Sequence, residues 1–194
     1  MEIKTIAIVG ASTLGRAVAY AAALAGYRTI LEDVSRSTLE QGIDWVAQAL
    51  DDDVSRGKIN AATRDATLAN LRTEPSAEDA SREADLIIET VANEMEMKIE
   101  LFTIFDKFAK PGAIFARTTT SLSISELAAV TFCPERCIGM RFASDGQKGS
   151  RLELVRGSDT SEDTVAACSE VGRRMGMEVS VLRDEHTASA NASK

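Results

Sequence analysis

Residues 3–33 constrain the fold more than any other stretch of the chain. Residues 3–9 are largely β-branched and apolar, and Gly10 ends the run. A strand buried on both faces of a parallel sheet reads this way. Residues 10–15 are a turn of small residues. Residues 14–25 are alanine-rich with no helix breaker, which predicts a helix closed by Gly26. Residues 28–31 read as a second short strand, so the segment is a βαβ unit.

Alternation continues downstream. Residues 35–56 predict a long helix with Ser35 or Ser37 as N-cap and Leu39, Ile43, Val46, Ala47 and Leu50 at helical spacing. A shorter helix is expected over 61–71, and the two together are expected to project from the sheet. Strands are then expected at 85–89, 113–116, 136–142, 151–155 and 177–182. Helices are expected at 94–108, 124–129 and 161–175, with a Pro111-Gly112 turn. The pattern predicts an α/β protein: a Rossmann-type, doubly wound, mostly parallel sheet with a helical-pair insertion after the second strand. One domain is expected over 1–184, with 185–194 a disordered polar tail.

Composition excludes several functions. The formal net charge of -8 argues against nucleic acid or an anionic membrane as the main partner. Cys133, Cys137 and Cys168 form no close pair and suggest no metal site; they read as buried reduced thiols suited to the cytoplasm. The N-terminus enters a strand directly, without signal-peptide character, and no apolar run approaches the ~20 residues that span a bilayer.

Between a strand and a helix, GxGxxG marks a site for the pyrophosphate of a dinucleotide, held by free amides at the helix N-terminus. Here the segment is Gly10-Ala11-Ser12-Thr13-Leu14-Gly15, with Ser12 at the second glycine position. Gly10, Ser12, Thr13, Leu14 and Gly15 are the candidate phosphate contacts. Asp33 lies close to the ~20 residues expected for the acid that binds the ribose 2′-hydroxyl, and Glu32 is placed to share that role. A carboxylate there repels a 2′-phosphate, so the cofactor read from the residues is NAD. The alternative is a fold of this type without a nucleotide, in which the glycines serve only the turn.

Several segments together resemble the NAD-binding domain of the 3-hydroxyacyl-CoA dehydrogenases: AIVGASTLGRAVAYAAALAGY, LEDVSRSTLEQG, ADLIIETVANEMEMKIELF, TTTSLSISELA and PERCIGMRF. Their order and spacing match from about residue 3 to about residue 184. The resemblance implies oxidation of an acyl-CoA 3-hydroxyl with hydride passing to NAD, a histidine as general base and a glutamate that orients it. It places the histidine after Ile138-Gly139-Met140, where this chain has Arg141, and the glutamate twelve residues later, at Glu153.

Arginine stays protonated near neutral pH and cannot act as the base. Arg141 reads instead as a salt-bridge partner of Glu153, an oxyanion stabiliser or a carboxylate ligand. The family's Asn-Thr-Ser-Ser loop is Thr118-Thr119-Thr120-Ser121 here, so Thr120 keeps a hydroxyl and Thr118 has lost an amide. Glu94 matches the acid near the nicotinamide and reads equally as a carboxylate at a helix N-terminus. Lys58 and Lys98 fall near a CoA phosphate by analogy and otherwise read as surface lysines. The only histidine, His186, lies in the polar tail. The Ser-Pro-Gly-Phe segment and the helical second domain of the family do not follow residue 184. The resemblance therefore implies an NAD-binding protein with dehydrogenase activity lost or altered. An acyl-CoA-like ligand is implied, and a homodimer or partner subunit over the face that the helical domain would cover. The alternatives are an oxidoreductase acting on another hydroxy substrate and a structural protein that keeps only the fold.

Overall fold

The computed structural model describes residues 2–91, 94–118, 123–144 and 150–184. Strand β1 (Thr5–Val9) is buried along its whole length. Helix α1 (Thr13–Leu24) returns the chain to β2 (Arg28–Glu32), which pairs parallel with β1. Helices α2 (Arg36–Ser55) and α3 (Ala61–Ala69) then lead into β3 (Leu71–Glu74). Next come α4 (Ala77–Glu83), β4 (Leu86–Glu89), α5 (Met95–Phe108), β5 (Ile114–Arg117) and α6 (Ile124–Ala128). A 3-10 turn over Pro134–Arg136 precedes β6 (Cys137–Ser144), β7 (Ser150–Arg156), α7 (Glu162–Arg174) and β8 (Glu178–Arg183).

The eight strands form one sheet in the order β3-β2-β1-β4-β5-β6-β7-β8. β1 to β6 run parallel; β7 returns antiparallel to β6, and β8 runs parallel to β7. The order reverses between β1 and β4. In doubly wound sheets ligands bind at the carboxyl ends of the strands flanking such a reversal. One face of the sheet packs on α1, α2 and α7 through Val18, Ala22, Leu39 and Val171. The other packs on α4, α5 and α6 through Ala80, Phe102, Phe105 and Leu127. The α5 rings stack edgewise and tilted on Phe115 of β5, which fixes the helix over the sheet.

Caps explain where the helices begin. Ser12, Ser35, Asn60, Ser76, Ser123 and Ser161 each accept a hydrogen bond from an amide of the first turn. Among the described residues only α5, which opens at Glu94, has no side-chain cap.

The helical pair after β2 lies against α1. Leu39, Val46 and Leu50 are buried, the Tyr20 hydroxyl donates to Asp53 of α2, and the Trp45 ring sits edge-on to Tyr20. The sequence reading leaves residues 72–84 without an element, yet they hold the end of β3 and the whole of α4. Leu71, expected to end a helix, begins β3 instead. Leu-Arg-Thr-Glu is too short and polar to announce a strand; pairing with β2 makes it one.

Candidate functional site

The turn between β1 and α1 has little freedom. Gly10 has φ +103°, a region closed to most L residues, and a Cβ there would meet Thr90 Oγ1 at 3.1 Å. A Cβ on Gly15 would lie 1.9 Å from the Gly10 carbonyl oxygen. Both positions therefore require glycine. Ser12 turns its hydroxyl into the protein, accepting from Gly15 N at 3.2 Å and donating to the Thr90 carbonyl at 3.1 Å. The side chain thus serves as the N-cap of α1. Thr13 and Leu14 supply first-turn amides that no earlier helical carbonyl can satisfy. The Thr13 hydroxyl accepts from Arg16 at 3.2 Å.

Asp33, just beyond β2, accepts from Ala11 N at 3.0 Å and from Ser35 N at 2.9 Å. It ties the glycine-rich turn to the start of α2. Beside it opens a cleft of about 480 Å³ lined by Gly10, Glu32, Asp33, Val91, Met97 and Leu101. One wall is acidic and the other apolar, a lining whose chemistry suits a nucleoside. The glycine cradle and this cleft suit a dinucleotide without a 2′-phosphate. Asp33→Asn should raise the ratio of NADP to NAD affinity about 10- to 100-fold, the worth of a hydrogen bond to a charged group. Calorimetric titration of both nucleotides checks this, and an unchanged ratio would remove Asp33 from cofactor choice.

Glu32 is 3% exposed. Burial, with the charge of Asp33 nearby, pushes its carboxyl up to about 7, although the Gly10 amide pulls the other way. The folded protein thus keeps a proton that the unfolded chain loses near its ordinary value of 4.5. Stability should fall as pH rises from 4.5 to about 7 and then level off, by up to about 3 kcal/mol in all. Glu32→Gln should therefore raise the melting temperature at pH 8 and leave it nearly unchanged at pH 4.5. Thermal melts of both proteins test this; an equal gain at the two pH values would contradict it.

At the carboxyl ends of β5 and β6 the site is charged. The antiparallel register sets Arg141 of β6 directly opposite Glu153 of β7. Their side chains form a loose ion pair at 3.8 Å, about a third exposed. Arg141 Nε is buried with no hydrogen-bond partner among the described residues. Arg117 ends β5 and is 1% exposed. Burial lowers its pKa to about 10, a fall opposed by Asp184 and assisted by Arg141. Asp184 in turn accepts from Ser123 Oγ and Ile124 N, both at 2.8 Å. Thr118 follows β5 and is buried; Glu94 is exposed at the start of α5. Thr120 and His186 lie outside the described residues.

The two lysines part company. Lys58 is a surface lysine paired with Asp53 at 2.9 Å. Lys98 is neither on the surface nor available to a phosphate: it is fully buried, with Nζ 2.6 Å from both carboxylate oxygens of Glu89. Sequence reasoning missed this pair, along with Thr90 and Arg117. The one signal was a glutamate closing an otherwise apolar strand, which calls for a buried partner. The three thiols are free and buried, and burial pushes Cys137 and Cys168 up to about 12. Among the described residues no group of acids, cysteines and histidines is arranged to hold a metal, and no helix is long and apolar enough to cross a membrane.

Fold and site together define a dinucleotide-binding protein of the doubly wound class. The profile of the 3-hydroxyacyl-CoA dehydrogenase NAD-binding domain matches residues 5–185, and the chain belongs to that family. It is 34% identical over 176 residues to a probable 3-hydroxybutyryl-CoA dehydrogenase of Bacillus subtilis, covering 91% of this chain and 61% of that protein. It is similar to the crystal structure of (S)-3-hydroxybutyryl-CoA dehydrogenase from Ralstonia eutropha, with TM-score 0.88, 31% identity and coverage of 94% of this chain and 64% of that one. For the 3-hydroxybutyryl-CoA dehydrogenase structure from Escherichia coli K12 the TM-score is 0.90 at 29% identity, covering 95% of this chain and 39% of that one. The chain thus spans about three-fifths of the length of the first curated relatives it matches. The cofactor of the family domain is NAD.

Proposed function

We propose that this protein binds NAD(H) and lacks the histidine-driven 3-hydroxyacyl-CoA dehydrogenase step of its relatives. The observation that carries the reading is Arg141, which stands across the strand pair from Glu153 and cannot accept a proton near neutral pH. In this reading the amides at Gly10, Ser12, Thr13, Leu14 and Gly15 hold the pyrophosphate, and Asp33 takes the adenosine ribose. Glu94 and Thr118 stand toward the nicotinamide. NAD, when bound, supplies a hydride acceptor. Arg141 and Glu153 border the substrate side as an ion pair and move no proton; Thr120, outside the described residues, is the hydroxyl that the family resemblance assigns to that side. The ligand class on that side is an acyl-CoA-like molecule. In this reading the domain runs to residue 184, the tail expected over 185–194 lies outside the described residues, and three buried free thiols fit the cytoplasm. Leu182, 41% exposed on β8, marks the face that a second copy or a partner subunit closes.

Two measurements test the proposal. Calorimetric titration should give NAD and NADH affinities in the micromolar to low-millimolar range. Acetoacetyl-CoA reduction with NADH should then be close to background. Ready turnover would sink the proposal in favour of an active oxidoreductase. Absence of binding at millimolar nucleotide would leave only a protein that keeps the fold.

A further inference from the structure

Two arginines stand on one face of the sheet at its carboxyl edge. Arg117 pairs with Gly139 in the β5–β6 register, and Arg141 lies two residues further along β6. Phe115 and Cys137, two residues before Arg117 and Gly139, both pack toward α4, α5 and α6. By the alternation of a strand, Arg117 and Arg141 project to that same side. They lie close enough for the charge of Arg141 to bear on Arg117. Ligands of doubly wound sheets bind at this end of the strands.

The carboxylates around the two guanidiniums are largely committed elsewhere. Glu89, opposite Arg117 on β4, is held by Lys98 at 2.6 Å. Asp184 eases the charge of Arg117, but its Oδ2 already accepts from Ser123 Oγ and Ile124 N. Glu126 is exposed to water. Glu153 stands 3.8 Å from Arg141 Nη1, too far for a hydrogen bond. The Nε–H of Arg141 is buried without a hydrogen-bond partner among the described residues. A buried donor left unpaired costs free energy. A guanidinium presents Nε–H and a neighbouring Nη–H as a flat fork that matches the two oxygens of a carboxylate. On Arg141 that fork is unfilled.

We propose that Arg117 and Arg141 form a carboxylate subsite on the substrate side. Arg141 grips the carboxylate through its fork, and Arg117 supplies positive charge from beneath. The ligand class is a hydroxy or oxo acid whose carboxylate is free, whatever its other end is attached to. The proposal rests on the reading that Arg141 borders the substrate and moves no proton, and it adds the charge of what binds there.

The test titrates 3-hydroxybutyrate, its neutral amide and inorganic phosphate into the protein by calorimetry, alone and with NADH bound. The acid should bind at least about 10-fold more tightly than the amide, because a fork on a carboxylate is a charge-assisted pair. Arg141→Gln should abolish that preference and leave the affinity for the amide within about 3-fold of the parent value. Glu153→Gln removes the negative charge nearest Arg141 and should strengthen acid binding several-fold. It decides the matter if Arg141→Gln does not fold. Equal binding of acid and amide, no binding of the acid at millimolar concentration, or a preference that survives Arg141→Gln would overturn the proposal. So would weaker acid binding by Glu153→Gln. Tighter binding of phosphate than of the acid would overturn it in favour of a phosphate site. Ready turnover of acetoacetyl-CoA by the parent would instead overturn the reading of Arg141 as a residue that moves no proton, whatever the titrations give.

Discussion

Arg141→His should reduce acetoacetyl-CoA with NADH at least about 100-fold faster than the parent protein, since a well-placed general acid–base group contributes about 10²- to 10⁴-fold. The reason lies in the strand register. Position 141 faces Glu153 directly across an antiparallel pair, and such opposed residues hold their Cβ atoms about 5 Å apart. An imidazole there meets a carboxylate able to fix its tautomer and support its charged form. Replacing a partly exposed arginine that holds only a loose ion pair removes little packing. The readout is NADH consumption at saturating nucleotide. Arg141→His/Glu153→Ala should lose a large part of the gain, which separates a base from a mere change of shape. If Arg141→His is as slow as the parent, the residue at 141 is not what limits chemistry, and the proposed function must rest on something else.

Gly15→Ala should be the most damaging single change in the cofactor site. The added methyl would sit 1.9 Å from the Gly10 carbonyl oxygen and 2.8 Å from Thr90 Oγ1. The first of these is backbone, held by a Gly10 N–H bond to the Glu32 carbonyl at 2.8 Å and by the Thr90 hydroxyl. It cannot yield without dragging the turn and strand β1 with it. Overpacking typically costs about 1–3 kcal/mol, and a clash with fixed backbone belongs at the upper end or beyond. Chemical denaturation should give a loss of about 3 kcal/mol or more, and nucleotide binding should vanish even where the protein still folds. A variant that melts and binds like the parent would mean that the turn does not have the geometry described.

The first βαβ unit could be read from its residues because its determinants are local. An apolar run, two glycines and an alanine-rich stretch each state their own conformation. The twelve-residue spacing of Arg141 and Glu153 was also legible, and the hairpin turns that spacing into a cross-strand pair. Lys98 was not legible. Periodicity places a lysine on the solvent side of an amphipathic helix, yet on α5 it is Met97 and Ile99 that are 41% and 36% exposed while Lys98 is buried. Its partner stands nine residues earlier, at the end of a strand, and only the packing of α5 on the sheet brings them together. β3 and α4 escaped for a related reason: their residues are polar, and their structure is imposed by β2 and the sheet edge. Ser12 looked like a defect in a glycine pattern; its hydroxyl is instead turned inward to cap α1.

That inward serine, with Asp33 holding Ala11, bears on how quickly a nucleotide can be captured. A turn ordered during folding has no entropy left to lose when a ligand arrives. Association should then be limited by encounter and orientation, with no slow reorganising phase in a stopped-flow trace. The heat-capacity change should match the apolar surface covered by the adenine and nicotinamide rings alone, without the added increment of a coupled folding event.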